Sequence, residues 1–117
     1  MAKVLIVDDS PVVRKIARRI LESLDLRADE ARSDALASCA FAMPDALFVD
    51  ASLPNMDGYE FVRRIRSMAG GGIPWIVFCA SENNVSLIAR ATHAGANDFL
   101  VKPFDRARLV AKFANFH

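Results

Sequence analysis

Three acidic residues and one lysine each follow or end a short apolar run, and together they could form a site for phosphoryl chemistry. Asp8 and Asp9 follow one run, Asp50 ends a second, and Lys102 follows a third. Neighbouring carboxylates repel one another, and a hard cation such as Mg²⁺, which prefers oxygen ligands, relieves that repulsion. A carboxylate such as Asp50 can attack phosphorus to form an acyl phosphate, while a cation and an ammonium neutralise the phosphoryl oxygens. Each acid alone is more typical of a helix N-cap, so the hypothesis requires that they lie together.

The apolar runs that carry these residues are typical of buried strands in a parallel sheet, because they are short, continuous and rich in β-branched residues. Strands are predicted at 3–7, 26–31, 46–50, 75–79 and 99–101, and helices at 11–24, 34–42, 59–68, 85–94 and after residue 105. This alternation predicts an α/β fold, a doubly wound five-stranded parallel sheet with helices on both faces. The sites of such sheets lie beyond the carboxyl ends of the strands, where these polar residues are expected to meet.

The first predicted helix is amphipathic and strongly basic. Ser10 suits the N-cap, and Pro11 suits the first helical position. Apolar residues at four-residue spacing are expected to face the sheet, and the cations are expected to face water. The apolar set is Val12, Ile16, Ile20 and Leu24, with Val13, Ala17 and Leu21 beside them, and the basic set is Arg14, Lys15, Arg18 and Arg19.

Composition narrows the class of protein. A length of 117 residues predicts a single domain spanning 1–117, and a formal net charge of +1 gives no indication of nucleic-acid binding. Two cysteines, Cys39 and Cys79, lack metal-site spacing and are expected to be free thiols. The amino terminus has only four consecutive apolar residues before two acids, too few for a secretory signal or a membrane span. A cytoplasmic protein without membrane contact is therefore expected.

Three segments of the chain resemble the receiver domain of two-component response regulators. They are VLIVDDS at 4–10, FVDASLPNMDGYEF at 48–61 and AGANDFLVKPF at 94–104. The match covers essentially the whole chain. The chain is similar to the stand-alone regulators of chemotaxis, because no output domain is expected after residue 117. The resemblance implies a flavodoxin-like sheet with strand order 2-1-3-4-5 and five helices.

The resemblance also implies roles for the residues at the carboxyl edge. Asp50 matches the phosphoacceptor, and Lys102 matches the lysine that contacts the phosphoryl oxygens. Asp8, Asp9, Asp50 and the backbone carbonyl of Ser52 match the ligands of Mg²⁺.

Further matched positions concern the conformational switch. Phe99 matches an aromatic residue whose exposure changes on activation, and the peptide bond before Pro103 is expected to be cis. Cys79 stands where the family has Thr or Ser, whose hydroxyl hydrogen-bonds the phosphoryl group. A thiol is a weaker donor, so Cys79 is a small packing residue, a redox thiol or a switch with an altered readout. Ala80 and Ser81 follow, and Ser81 is expected to flank the entrance.

The leading hypothesis is a phosphorylation-dependent signalling switch with Mg²⁺ as cofactor. A histidine kinase or histidine phosphotransfer protein would donate the phosphoryl group, and the surface of helix 4, strand 5 and helix 5 would then bind a downstream protein. The basic face of the first helix is either a solvated surface or the docking surface for that donor. The resemblance implies no enzyme activity beyond the domain's own phosphorylation and dephosphorylation. A monomer or weak dimer that contacts neither nucleic acid nor membrane is expected.

Two other functions remain open from the sequence. A receiver-like binding module that works without phosphorylation is supported mainly by Cys79, and opposed by the complete set of Asp8, Asp9, Asp50 and Lys102. A phosphatase of the haloacid dehalogenase type would need a second aspartate at the position of Ser52, and is disfavoured for that reason.

Overall fold

A computed structural model describes residues 1–31, 34–114 and 116. Within them, five strands alternate with five helices. The strands are β1 (Lys3–Val7), β2 (Arg27–Ala31), β3 (Ala46–Asp50), β4 (Trp75–Ala80) and β5 (Asp98–Val101). The helices are α1 (Pro11–Glu22), α2 (Ala35–Phe41), α3 (Gly58–Ser67), α4 (Val85–Ala94) and α5 (Arg106–Phe113). None of these helices is both long enough and apolar enough to cross a membrane.

The strands form one parallel sheet in the order β2-β1-β3-β4-β5, which confirms the predicted fold class. Because successive side chains of a strand point to opposite faces, each central strand supplies two layers of core. One layer packs beneath α2, α3 and α4, and the other packs beneath α1 and α5. The three central strands are almost wholly buried, as their continuous apolar runs predict.

Side-chain caps fix where four of the helices begin. Ser10 accepts a hydrogen bond from the Val13 amide, and Pro11 occupies the start of α1. Asp57, Asn84 and Asp105 cap α3, α4 and α5 in the same way. These caps lie at the carboxyl edge of the sheet, so the residues that leave each strand also orient the following helix.

The predicted orientation of α1 is wrong in part. Val12 and Ile16 are 66% and 48% exposed, whereas the side chain of Arg14 is only 11% exposed. Ala17, Ile20 and Leu21, which belong to the expected apolar side, are buried against the sheet, and the partly buried Val13 packs beside them. Four-residue spacing alone does not fix which side of a helix faces the core, because the angle at which the helix lies on the sheet decides it.

The amino-terminal end of β4 is fixed to the last helix through Trp75. Its indole Nε1 donates a hydrogen bond to the carbonyl oxygen of Lys112 on α5, at 2.9 Å. The ring also packs against the apolar layer beneath α1 and α5. Trp75 therefore has a packing role, as its position at a strand start predicts.

Candidate functional site

Lys102 brings two buried carboxylates together at the carboxyl edge of the sheet. Its Nζ lies 2.8 Å from Asp8 Oδ2 and 3.1 Å from Asp50 Oδ1. Both aspartates are buried, while the lysine is partly covered. Strands β1, β3 and β5 thus each contribute one charged group to a single cluster, which is the juxtaposition that the sequence predicts.

The charges within this cluster compete. Burial and the neighbouring charge of Asp8 raise the pKa of Asp50, although its hydrogen bond to Lys102 acts in the opposite direction. Burial alone would lower the pKa of Lys102, but its hydrogen bonds to Asp8 and Asp50, together with the charges of these acids, raise it. The lysine is therefore a cation at neutral pH, and its single ammonium is shared between two carboxyl groups.

Asp8 is held by its own loop and by α1. Its Oδ1 accepts a hydrogen bond from the Ser10 amide at 2.8 Å, and its backbone carbonyl accepts one from Arg14 Nη1 at 2.7 Å. Arg14 Nε in turn lies 3.0 Å from Glu30 Oε1 on β2. Arg14 and Glu30 support the backbone of Asp8 through contacts that the sequence interpretation missed. The only signal for them was an arginine one and a half turns after the acidic pair, opposite an acid on the next strand.

The loop after Asp50 is folded tightly against the strands. The Ala51 amide donates to the Cys79 carbonyl, and the Gly58 amide donates to the Ala51 carbonyl, both at 2.8 Å. Ser52 and Asp57 form an isolated antiparallel bridge across the loop. Glycine is required at position 58, because a Cβ there would overlap the Asp50 carbonyl oxygen.

The donor atoms suit a hard cation in chemistry. Asp8 and Asp50 offer carboxylate oxygens, and Asp9 stands exposed beside them at the rim. Within 1–31, 34–114 and 116, however, no three acidic, histidine or cysteine side chains are already gathered around one point. Lys102 occupies the space between the two buried acids. The Mg²⁺ ligands Asp8, Asp9, Asp50 and the Ser52 carbonyl therefore stay a prediction.

Cys79 lies inside the cluster but is inaccessible. It pairs with Asp50 in the β3–β4 register and is 0% exposed. Burial raises the pKa of its thiol to about 12, with smaller contributions from the nearby charges, so the thiol stays protonated at neutral pH. A protonated, fully buried thiol is a poor target for oxidation, which disfavours the redox interpretation.

The entrance to the site lies beside α1. Ser81 is exposed, as expected, whereas Ala80 is buried. A cleft of about 400 Å³ opens between Ser81, Lys102, Phe104 and the apolar side chains of α1. The Lys102–Pro103 peptide bond is cis, which confirms that prediction.

Phe99 lies on the opposite face of the sheet from Cys79. It is half-buried, and its ring centroid is 6.0 Å from that of Phe78. Phe78 also packs against Tyr59 on α3, at 4.6 Å between ring centroids. Phe99 borders a second cleft, of about 640 Å³, between α4, β5 and α5. The candidate switch residue is thus connected by ring contacts to the start of α3.

Comparison of the sequence with protein-family models places a response regulator receiver domain over residues 4–114. Among curated proteins, the KDP operon transcriptional regulatory protein KdpE of Escherichia coli is 38% identical over 114 residues. The alignment covers 96% of this chain and 49% of KdpE. The chain therefore spans about half the length of this relative.

Solved structures give the same result at full length. The chemotaxis response regulator CheY4 of Vibrio cholerae matches with a TM-score of 0.94 and 29% identity, over 100% of this chain and 99% of CheY4. The receiver domain of the sensor histidine kinase PA1611 of Pseudomonas aeruginosa matches with a TM-score of 0.86 and 30% identity. That alignment covers 98% of this chain and 97% of the PA1611 domain, which has a magnesium ion coordinated in its active-site cleft.

Proposed function

The chain belongs to the response regulator receiver family, and from that premise we propose that it is a phosphoacceptor whose nucleophile is Asp50. The observation that carries this proposal is the position of the Lys102 ammonium, within hydrogen-bonding distance of both Asp8 and Asp50. An ammonium at that point can hold an oxygen of a phosphoryl group bonded to Asp50.

The proposed reaction transfers a phosphoryl group from a phosphohistidine to the Asp50 carboxylate. One Asp50 oxygen forms a bond to phosphorus while the bond from phosphorus to the donor's imidazole nitrogen breaks, and that nitrogen keeps the electron pair. Mg²⁺, held by Asp8, Asp9, Asp50 and the Ser52 carbonyl, would neutralise charge on the phosphoryl oxygens. Lys102 supplies the second cation, and Ser81, at the rim of the cleft, leaves the approach open.

The proposed donor is a histidine kinase or a histidine phosphotransfer protein, and the proposed readout is a changed surface at α4, β5 and α5. We also propose that the chain acts on no other substrate, catalysing only the gain and loss of its own phosphoryl group. The cleft beside Phe99 supports this readout surface, since it is where α4, β5 and α5 meet.

Beryllofluoride, a mimic of the phosphoryl group on aspartate, tests the proposal directly. We expect saturable binding with Mg²⁺ present and none detectable with Mg²⁺ chelated, because without the cation the acids are under-neutralised. Isothermal titration calorimetry and amide chemical shifts would measure both. A chain that binds Mg²⁺ but never beryllofluoride would instead support a binding module that works without phosphorylation.

Replacing Cys79 with Thr is expected to tighten beryllofluoride binding about tenfold. A threonine hydroxyl at this position can donate a hydrogen bond to a charged oxygen, a contact that contributes about 1.5–3 kcal/mol, whereas a thiol donates weakly. Mg²⁺ affinity should stay nearly unchanged, and the ligand-induced chemical-shift change at Phe99 should grow.

The matched control for this variant is Cys79→Ala, which keeps a small side chain but removes the donor. We expect it to behave like wild type in all three measurements. If the threonine variant also matches wild type, Cys79 is a packing residue, and the switch does not depend on a donor at this position.

A further inference from the structure

Arg90 on α4 reaches across to the amino-terminal end of α3. Its guanidinium carbon lies 3.9 Å from the centroid of the Tyr59 ring. Its Nη2 lies 3.7 Å from Asp57 Oδ2. One side chain thus contacts both a ring and a carboxylate of the neighbouring element.

The ring contact is the stronger of the two. The side chains of Arg90 and Asp57 are 53% and 50% exposed, and their separation is long for an ion pair, so solvent screens most of that attraction. Tyr59 is buried, and a planar guanidinium stacks well on an aromatic face. Exposed contacts of this kind change an equilibrium constant by about two- to fivefold.

Both residues that Arg90 contacts belong to the segment that follows Asp50. Asp57 bridges back to Ser52 and caps α3 by accepting a hydrogen bond from the Glu60 amide at 2.7 Å. Tyr59 directly follows Gly58, whose backbone lies against the Asp50 carbonyl. A displacement of this segment would therefore change the contacts of Arg90 and, through Arg90, the position of α4.

The same contact also connects to the fifth strand. Tyr59 packs on Phe78, and Phe78 packs on Phe99. A series of three rings in contact therefore connects the Arg90 guanidinium to the candidate switch residue Phe99. The side chains of α4 otherwise leave much of its surface open, with Val85 84% exposed and only Ala91 and Ala94 buried. Because the buried side chains of α4 are two small alanines, a contact made by a larger side chain such as Arg90 contributes to positioning the helix.

We propose that Arg90 is a positioning residue that holds α4 against the segment after Asp50 and thereby weakens the response to a phosphoryl group. This inference rests on the proposed function. We call the contact of Arg90 with Tyr59 and Asp57 the clamp. It is present in a conformation in which Lys102 is hydrogen-bonded to the Asp50 carboxylate itself. A contact that favours this conformation opposes one in which Lys102 engages a phosphoryl oxygen.

Arg90→Gln tests the clamp through beryllofluoride affinity with Mg²⁺ present. We expect the affinity of Arg90→Gln for beryllofluoride to be about two- to fivefold higher than that of wild type. Arg90→Lys keeps a cation near the ring, so its affinity should lie between those of Arg90→Gln and wild type. Arg64→Gln is the matched control, since Arg64 is similarly exposed and, among the described residues, its side chain pairs only with Glu60 on its own helix. A merely structural role would alter the midpoint of unfolding without altering this affinity.

A second measurement separates failure of the clamp from failure of the proposed function. Amide hydrogen exchange in α4, followed with no phosphoryl mimic present, should speed up about two- to fivefold in Arg90→Gln and stay unchanged in Arg64→Gln. Wild type that never binds beryllofluoride would overturn the proposed function but leave this test intact. Unchanged α4 exchange, or unchanged or weaker beryllofluoride binding in Arg90→Gln, would overturn the clamp.

Discussion

Asp50→Asn is expected to abolish phosphoryl uptake while the chain stays folded. An amide is not a nucleophile towards phosphorus, so the rate should fall by roughly a hundredfold or more. Burial and the charge of Asp8 raise the pKa of Asp50, so an ionised Asp50 costs more free energy in the folded chain than in the unfolded chain. A neutral residue removes this cost and leaves Lys102 paired with Asp8. The free energy of unfolding should therefore be equal to or above that of wild type.

Intact-protein mass spectrometry after incubation with acetyl phosphate and Mg²⁺ measures this uptake. Asp45→Asn is a matched control, because it is the same substitution just before the opposite end of β3. There the exposed carboxylate of Asp45 accepts a hydrogen bond from the Lys3 amide. That variant should take up phosphoryl as wild type does. Normal uptake by Asp50→Asn would place the nucleophile elsewhere and end the proposed mechanism.

Gly58→Ala is expected to destabilise the fold by about 3 kcal/mol, since the added methyl overpacks a closed site. The new Cβ would overlap the Asp50 carbonyl oxygen and come within 2.8 Å of Phe78 Cε1 and 2.9 Å of Ala51 Cα. Two of these contacts are with backbone, which cannot turn aside as a flexible side chain does. Helix propensity alone would favour alanine by up to about 1 kcal/mol, so the sign of the change distinguishes the two effects.

The matched control is Gly72→Ala in the loop before β4, where an added Cβ has no atom within 4 Å among the described residues. This variant should change stability by less than about 1 kcal/mol, in the stabilising direction if at all. Urea unfolding followed by circular dichroism measures both variants. If Gly58→Ala proves as stable as Gly72→Ala, the loop after Asp50 can shift to accommodate the methyl group more easily than its close contacts imply. The role of Gly58 as a support for the site would then be lost.

Continuous apolar runs carried most of the information about the fold. A strand buried on both faces has few alternatives, so the boundaries of β1 and β3 and the meeting of Asp8, Asp50 and Lys102 followed from their sequence positions. The cis bond before Pro103 came from family resemblance, because the local sequence gives only a low prior for it.

Surface contacts between elements could not be predicted in this way. The side of α1 that faces the sheet depends on helix orientation, so Arg14 was placed in water although it holds the Asp8 backbone. The contact of Arg90 with Tyr59 depends on how α3 and α4 pack, and 31 positions along the chain separate the two residues. Such pairs leave no periodic signal in one sequence, because their spacing is set by tertiary packing.

Trp75 gives the molecule an optical reporter far from its site. It is the chain's single tryptophan, and its indole is hydrogen-bonded to the carbonyl of Lys112 on α5. The run of β4 from Trp75 to Cys79 puts it roughly 13 Å from the level of Asp50. The fluorescence emission of Trp75 therefore reports whether α5 is packed against the sheet. Events at Asp50 will be visible in this signal only to the extent that they shift α5.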